Sequence, residues 1–355
     1  TALTTGDNNT ALGQHALKTA TTGNNNTAVG FDCMALTTTG NPNTAVGAYC
    51  LDAMTSGSNN TAIGYQAMSS LTDGGNNVAV GHNALSALTT HSYNTAVGVA
   101  ALEALSTAHA NTAIGYKAML SATTGANNVA AGYIALDALT TAHGNVAIGS
   151  GCGGAITTGG SNVAIGYNSL ATVTTTTSNI AIGHDALGAC YGTGNQAIGH
   201  LAGANITTGD NNVMIGREAG NYQTNLTTGD NNIFIGSYTR GASADSQKSQ
   251  AFGYGVTGAD SSLTIGYGTS DSRCSFGSTS WSAPSDQRLK EEITTSTAGL
   301  SFVNDLRPVT FKWKKEKDIP TDVAGYVEGS DTRFKTDATE HGFIAQEVKT
   351  AIDAH

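Results

Sequence analysis

One short string recurs down the chain. Asn26-Thr27-Ala28-Val29-Gly30 returns as Asn43-Thr44-Ala45-Val46-Gly47 and as Asn60-Thr61-Ala62-Ile63-Gly64. Its closing glycine falls every 17 residues from Gly13 to Gly183, ten steps in succession. It recurs at Gly199, Gly216, Gly236, Gly253 and Gly266, where the steps loosen to 16, 17, 20, 17 and 13. A unit this short cannot close a core alone, so the chain must bury its apolar side chains by stacking unit on unit.

Each unit has three parts. Asn-(Thr/Val)-Ala-(Val/Ile)-Gly alternates small and β-branched side chains and reads as a short strand. The stretch after the glycine, as in Gly64-Tyr65-Gln66-Ala67-Met68-Ser69-Ser70-Leu71, spaces its apolar residues three, four and seven positions on. That suits one or two helical turns or a tight outer strand, and the window is too short to separate them. Thr-Thr-Gly-x-Asn, as at Thr21 to Asn25, is a turn. Strands paired from rung to rung at about 4.8 Å give a rod of roughly 70 Å with a thin interior. So thin a rod buries little per residue, and three chains around one axis would remedy that.

Composition agrees with a repeat shaft. Glycine is 45 of 355 residues, roughly twice the usual share. Charged residues are 12%, prolines number four and no apolar run spans a membrane. Net charge is −10, and no basic cluster precedes residue 285, so nucleic acid is excluded as the expected partner. The first residues already lie inside a repeat, and the sequence reads as a fragment of a longer protein.

The asparagine four places before each anchor glycine, as at Asn26, Asn43, Asn60, Asn77, Asn94 and Asn111, suits a side-chain amide ladder between rungs. A ligand-binding comb would not need it in every rung. The slot after the glycine varies (Phe31, Tyr65, His82, Tyr116, Tyr133, Tyr167), which marks a surface or subunit contact; stacking on sugars is the other reading. Three of the five cysteines, Cys33, Cys50 and Cys152, stand where other units have alanine and read as small buried hydrophobes. A disulfide between Cys33 and Cys50 in adjacent rungs is conceivable. No CxxC or paired-histidine spacing exists, so neither a metal site nor a cofactor is expected.

From Ser285 the chemistry changes. Residues 1–284 carry 6 basic and 13 acidic residues, and residues 285–355 carry 10 and 13. The expected organisation is a repeat shaft over 1–266, a connector over 267–284 and a separate domain over 285–355, incomplete at its end. Ser285 with Arg288, Glu291 and Glu292 suits a helix start, Leu306 to Trp313 a strand, and Ile344 to Val348 the lead into a helix. A serine five residues before a lysine at a helix start can place an amine near the hydroxyl. A lysine whose pKa burial lowers can then serve as base. Ser285 equally suits a helix N-cap, and the two roles are compatible.

Three blocks, Ser285-Asp286-Gln287-Arg288-Leu289-Lys290-Glu291-Glu292-Ile293, Leu306-Arg307-Pro308-Val309-Thr310-Phe311-Lys312-Trp313 and His341-Gly342-Phe343-Ile344-Ala345-Gln346-Glu347-Val348, resemble the C-terminal intramolecular chaperone domain of phage endosialidases, tailspikes and neck appendages. That resemblance implies a domain that helps three chains meet and fold a β-rich stalk. It implies Ser285 as nucleophile and Lys290 as base, with His341 matching a family histidine, and cleavage of the Pro284–Ser285 bond. Pro284 restricts that bond, which speaks against cleavage. The array itself resembles the β-roll heads of trimeric autotransporter adhesins and the stalks of tail fibres, with its handedness open.

The expected fold is therefore mainly β: a trimeric stacked β-solenoid or β-roll of 17-residue repeats, followed by a small α+β chaperone domain. The expected function is a homotrimeric phage tail fibre or spike that binds a host cell-surface glycan or protein, located on the virion tail. A bacterial surface adhesin or secreted fibre of the same build is the alternative. Enzyme activity is expected to be at most a single-turnover Ser-Lys autoproteolysis. A glycan-degrading spike needs paired carboxylates, and the acidic residues of the array are scattered singly.

Overall fold

A computed structural model describes residues 5–278, 300–321, 326–334 and 338–354 of the chain. The chain divides into two compact units, residues 1–284 and 285–355.

The first unit is a β-solenoid of about fifteen turns. Each turn supplies one strand of three or four residues that ends at the anchor glycine, from Thr10–Leu12 to Ile233–Ile235. Two longer strands, Ser249–Tyr254 and Ser262–Tyr267, extend the stack. All of these pair in parallel and in register, so that Thr27 faces Thr44, Ala28 faces Ala45 and Val29 faces Val46. Residues 270–275, within the segment read as a connector, form a strand antiparallel to Ser262–Tyr267, the last of 17 in the sheet.

Alternation along the strand decides what goes inside. From the second strand on, the central alanine, as at Ala28, Ala45 and Ala62, is buried, whereas Ala11 in the first strand is exposed. The β-branched residues on either side point outward and hold the backbone extended. The interior is completed by Cys33, Met34, Leu51, Met54, Ala67 and Met68 and their equivalents in other rungs. Near the C-terminal end of the solenoid Met214 and Phe234 take the alanine position. Gly203 and Gly220 then replace the usual leucine or methionine, and a Cβ on Gly220 would lie 2.9 Å from the Met214 sulfur. At these rungs volume is exchanged across the interior.

The stretch after the glycine is neither helix nor strand. Its alternate residues take left-handed conformations: Gly30 has φ +141°, Asp32 +50° and Met34 +51°. Such a backbone turns successive N–H groups to opposite sides. The Asp32 N–H donates to Gln14 in the rung before (3.0 Å), and the Met34 N–H to Cys50 in the rung after (2.9 Å). A helix would satisfy those groups within the segment; here neighbouring rungs do so.

Irregular steps are absorbed outside the sheet. The 20-residue step places Asn221 to Asn225 in an outward loop closed by the Leu226 N–H on Gly220 (2.9 Å), and Leu226 returns to the interior. The 16-residue step shortens the turn at Tyr191 to Gly194. Strand register is unchanged in both cases, with Ile180 opposite Gln196 and Val213 opposite Ile233.

The five cysteines are free thiols. Cys33 and Cys50 are buried one rung apart, and their sulfurs donate to the carbonyls of Ala45 and Ala62. The neighbouring Cys33 sulfur and burial raise the Cys50 thiol above its ordinary value, so it stays protonated. Burial pushes Cys152 up to about 12 and Cys190 up to about 11.

In the second unit, helix Leu300–Asp305 precedes strand Val309–Phe311, which pairs antiparallel with Glu340–Gly342. Helix Ala345–Ala354 follows. The first strand is shorter than the Leu306–Trp313 run that reads as strand, because Pro308 has no N–H for a ladder and the Arg307 side chain pairs with Glu347 (Nε to Oε2, 3.0 Å). Trp313 donates from Nε1 to Glu340 (3.0 Å). Lys315 and Lys317 flank Asp331 and hold its carboxyl at about 2. Among the described residues no helix is long and apolar enough to cross a membrane.

Candidate functional site

The asparagine column runs through the buried edge of the strands. Oδ1 of Asn43 accepts from the backbone N–H of Asn60 (2.9 Å) and from its Nδ2 (3.1 Å). Nδ2 of Asn43 also donates to the Gly57 carbonyl (2.8 Å). Asn26, Asn60, Asn77, Asn94 and Asn111 repeat the pattern of one carbonyl taking two donors. Each amide thus ties the rung before, its own rung and the turn after it. All these side chains are buried, where an unpaired amide would be costly.

Two further ladders escaped sequence reading. The first threonine of each Thr-Thr pair donates its hydroxyl to the carbonyl one rung on, as Thr38 to Thr55 (3.1 Å), Thr123 to Thr140 (3.1 Å) and Thr140 to Thr157 (3.1 Å). In the turn, a side chain accepts from the backbone of the rung before: Asn41 N–H to Ser58 (3.2 Å), Ala126 N–H to Nδ1 of His143 (3.0 Å), Asp210 N–H to Asp230 (2.8 Å). The signal was present as a column of short acceptors, visible only once the units are aligned.

On the outside, rings from successive rungs stack on one another. Tyr65 lies over His82 (5.3 Å between centroids, 13°), Tyr116 over Tyr133 (5.4 Å, 11°) and Tyr167 over His184 (5.2 Å, 21°), which in turn stacks on His200. Their faces cover each other, leaving edges for solvent or a partner.

Beside this column lies a cavity of about 400 Å³. It is bounded by His15, Lys18, Asp32, Tyr49 and Asp52. His15 and Asp32 pair at 2.7 Å. Burial raises the Asp52 carboxyl above its ordinary value, and its Oδ1 is buried without a hydrogen-bond partner. Two acidic residues 20 positions apart, scattered in the sequence, thus come to one groove. It offers acceptors, a cation and an aromatic wall, a chemistry suited to a polar ligand.

In the second unit, His341 lies exposed at the centre of strand Glu340–Gly342, opposite Thr310. Pro284, Ser285 and Lys290, and the helix start read at Ser285, lie outside the described residues. Among the described residues no three metal-binding side chains converge.

No curated protein and no solved structure matches the chain. Residues 285–355 match the family model described as Peptidase S74, chaperone of endosialidase. A domain of this type suggests self-association. With a solenoid of about fifteen turns ahead of that domain, the chain has the make-up of a fibre protein that ends in a C-terminal chaperone of the endosialidase type.

Proposed function

We propose that this chain is a homotrimeric phage tail fibre, a structural and receptor-binding shaft whose residues 285–355 bring three chains into register and then leave by self-cleavage before Ser285. The observation that carries the reading is the joining of a chaperone-of-endosialidase match to a shaft of near-identical rungs. Such rungs pair almost equally well when displaced by one unit, so three of them need an outside agent to align them. A non-repeating domain at one end is a physical answer. In the cleavage step Ser285 Oγ attacks the Pro284 carbonyl, Lys290 takes the hydroxyl proton, and the amine of residue 285 departs with that proton. Water then releases the shaft, which ends at Pro284. The receptor is a host cell-surface glycan or protein, and the cavity beside His15, Asp32 and Asp52 is a candidate contact.

The test is expression of the chain with and without residues 285–355. Removal before folding is expected to give aggregates, whereas the full chain gives soluble, SDS-resistant trimers. Soluble, SDS-resistant trimers from the truncated chain would overturn the chaperone role. In the same preparations, mass spectrometry of the full chain should find a fragment that begins at Ser285, absent from Ser285→Ala.

A further inference from the structure

Among the described residues, the outward side chains of the solenoid strands are exposed or half-buried. They run in two columns, one on each side of the buried alanine. The column next to the anchor glycine is valine or isoleucine in nearly every rung. Ile63, Ile114, Ile148, Ile198, Ile215 and Ile235 are 36–47% exposed there. The other column is threonine, valine or isoleucine in most rungs and glutamine at Gln196 and Gln250. Neither column holds a charged residue in any of the parallel strands, from Thr10 to Ile265. The charges of the solenoid sit elsewhere on its circumference, among them Asp32, Asp52, Glu103, Lys117 and Asp137 in the segment after the glycine.

We propose that this uncharged stripe is the face along which three copies of the chain meet around a common axis, which rests on the trimer reading above. Two considerations select a second copy over any other occupant. The first is spacing. The stripe presents one apolar side chain per rung at about 4.8 Å, so a close-packed partner must carry apolar side chains at that period over many rungs. A copy of this chain does so by construction. The second is area. Two outward side chains from each of some fifteen rungs expose on the order of 1,000 Å² of largely apolar surface per chain, above the roughly 800 Å² per partner of a standard stable interface. A patch of that size on a soluble protein is ordinarily covered. Matching stripes also explain the uniform choice of β-branched residues. They are stiff, lose little side-chain freedom on burial and interdigitate as a regular seam.

The test uses the full chain in a Cys274→Ser background, where the remaining cysteines are buried. Ile63→Cys, Ile114→Cys and Ile148→Cys are compared with Asp73→Cys in an exposed turn. Light scattering gives the mass, and mild oxidation followed by a denaturing gel reads the contacts. A trimer in which the isoleucine positions link chains in covalent pairs, and Asp73→Cys does not, supports the stripe. A trimer that links at Asp73→Cys, or at none of the four, overturns the stripe and leaves the trimer standing. A monomer overturns both, and a dimer linked at the isoleucine positions keeps the face and overturns the threefold. Ile114→Glu should lose the trimer while circular dichroism still reports a folded solenoid. An Ile114→Glu trimer of unchanged stability also overturns the stripe.

Discussion

Single residues show why the repeat tolerates so little change at some positions. Asn111 accepts from the N–H and the side chain of Asn128 and donates to Gly125 (2.8 Å). In Asn111→Ala the Asn128 N–H and the Gly125 carbonyl stay buried without partners, at about 1–3 kcal/mol each. The loss should show in denaturant unfolding as a total of about 2–6 kcal/mol. At Gly149, φ is +135° and an added Cβ would meet the Gly166 carbonyl oxygen at 2.7 Å. Both the backbone conformation and the next rung therefore require glycine. Asp52 behaves in the opposite sense to a paired carboxylate. Burial raises its pKa in the folded chain, so its contribution is most favourable in acid and is lost as pH rises through the folded value. Asp52→Asn is expected to raise the melting temperature at about pH 7 and to leave it unchanged at about pH 3, below the ordinary carboxylate range. Melting curves at both pH values check this, and an equal shift at both would contradict it.

At the level of elements, the strands and the stacked architecture were legible in the sequence because their causes are local and periodic. Alternation, β-branching and a fixed glycine all lie within five residues. The segment after the glycine was not legible. Met34, Leu51 and Met68 sit at positive φ, against the preference of their side chains. Their conformation is set by hydrogen bonds to rungs 17 residues away in either direction. No local window contains that information. The threonine and turn ladders were missed for the same reason, as was the groove that brings Asp32 beside Asp52. In the second unit Leu306 and Arg307 were read into a strand that starts at Val309, since the Arg307–Glu347 pair spans 40 residues. The loop Asn221 to Asn225 offers a test of where change is harmless. Removing Tyr222, Gln223 and Thr224 restores a 17-residue step and keeps Leu226 in the interior. The shortened chain should fold with a melting temperature within a few degrees of the parent, because surface loops take up insertions and deletions readily. Loss of the circular dichroism signal of the solenoid would show that the loop carries more.

Across the whole molecule, two kinds of sequence divide the work. The shaft carries its bonding in columns, so one unit has nearly the same partners as the next. The last 71 residues are charged and irregular. The structure describes His341 but not Ser285 or Lys290, and the site expected at the junction rests on the serine–lysine spacing and on motif resemblance, which the family match to residues 285–355 accompanies. The ladders have a consequence for length. Each asparagine finds its acceptors in the units immediately before and after it and is indifferent to which units those are. Loss or gain of one entire 17-residue block, as by unequal recombination between like segments of the gene, rejoins every column. The shaft then changes by a single rise of about 4.8 Å. Its extent is therefore quantised, and the protein can act as a ruler that heredity resets in whole steps without redesigning a single contact.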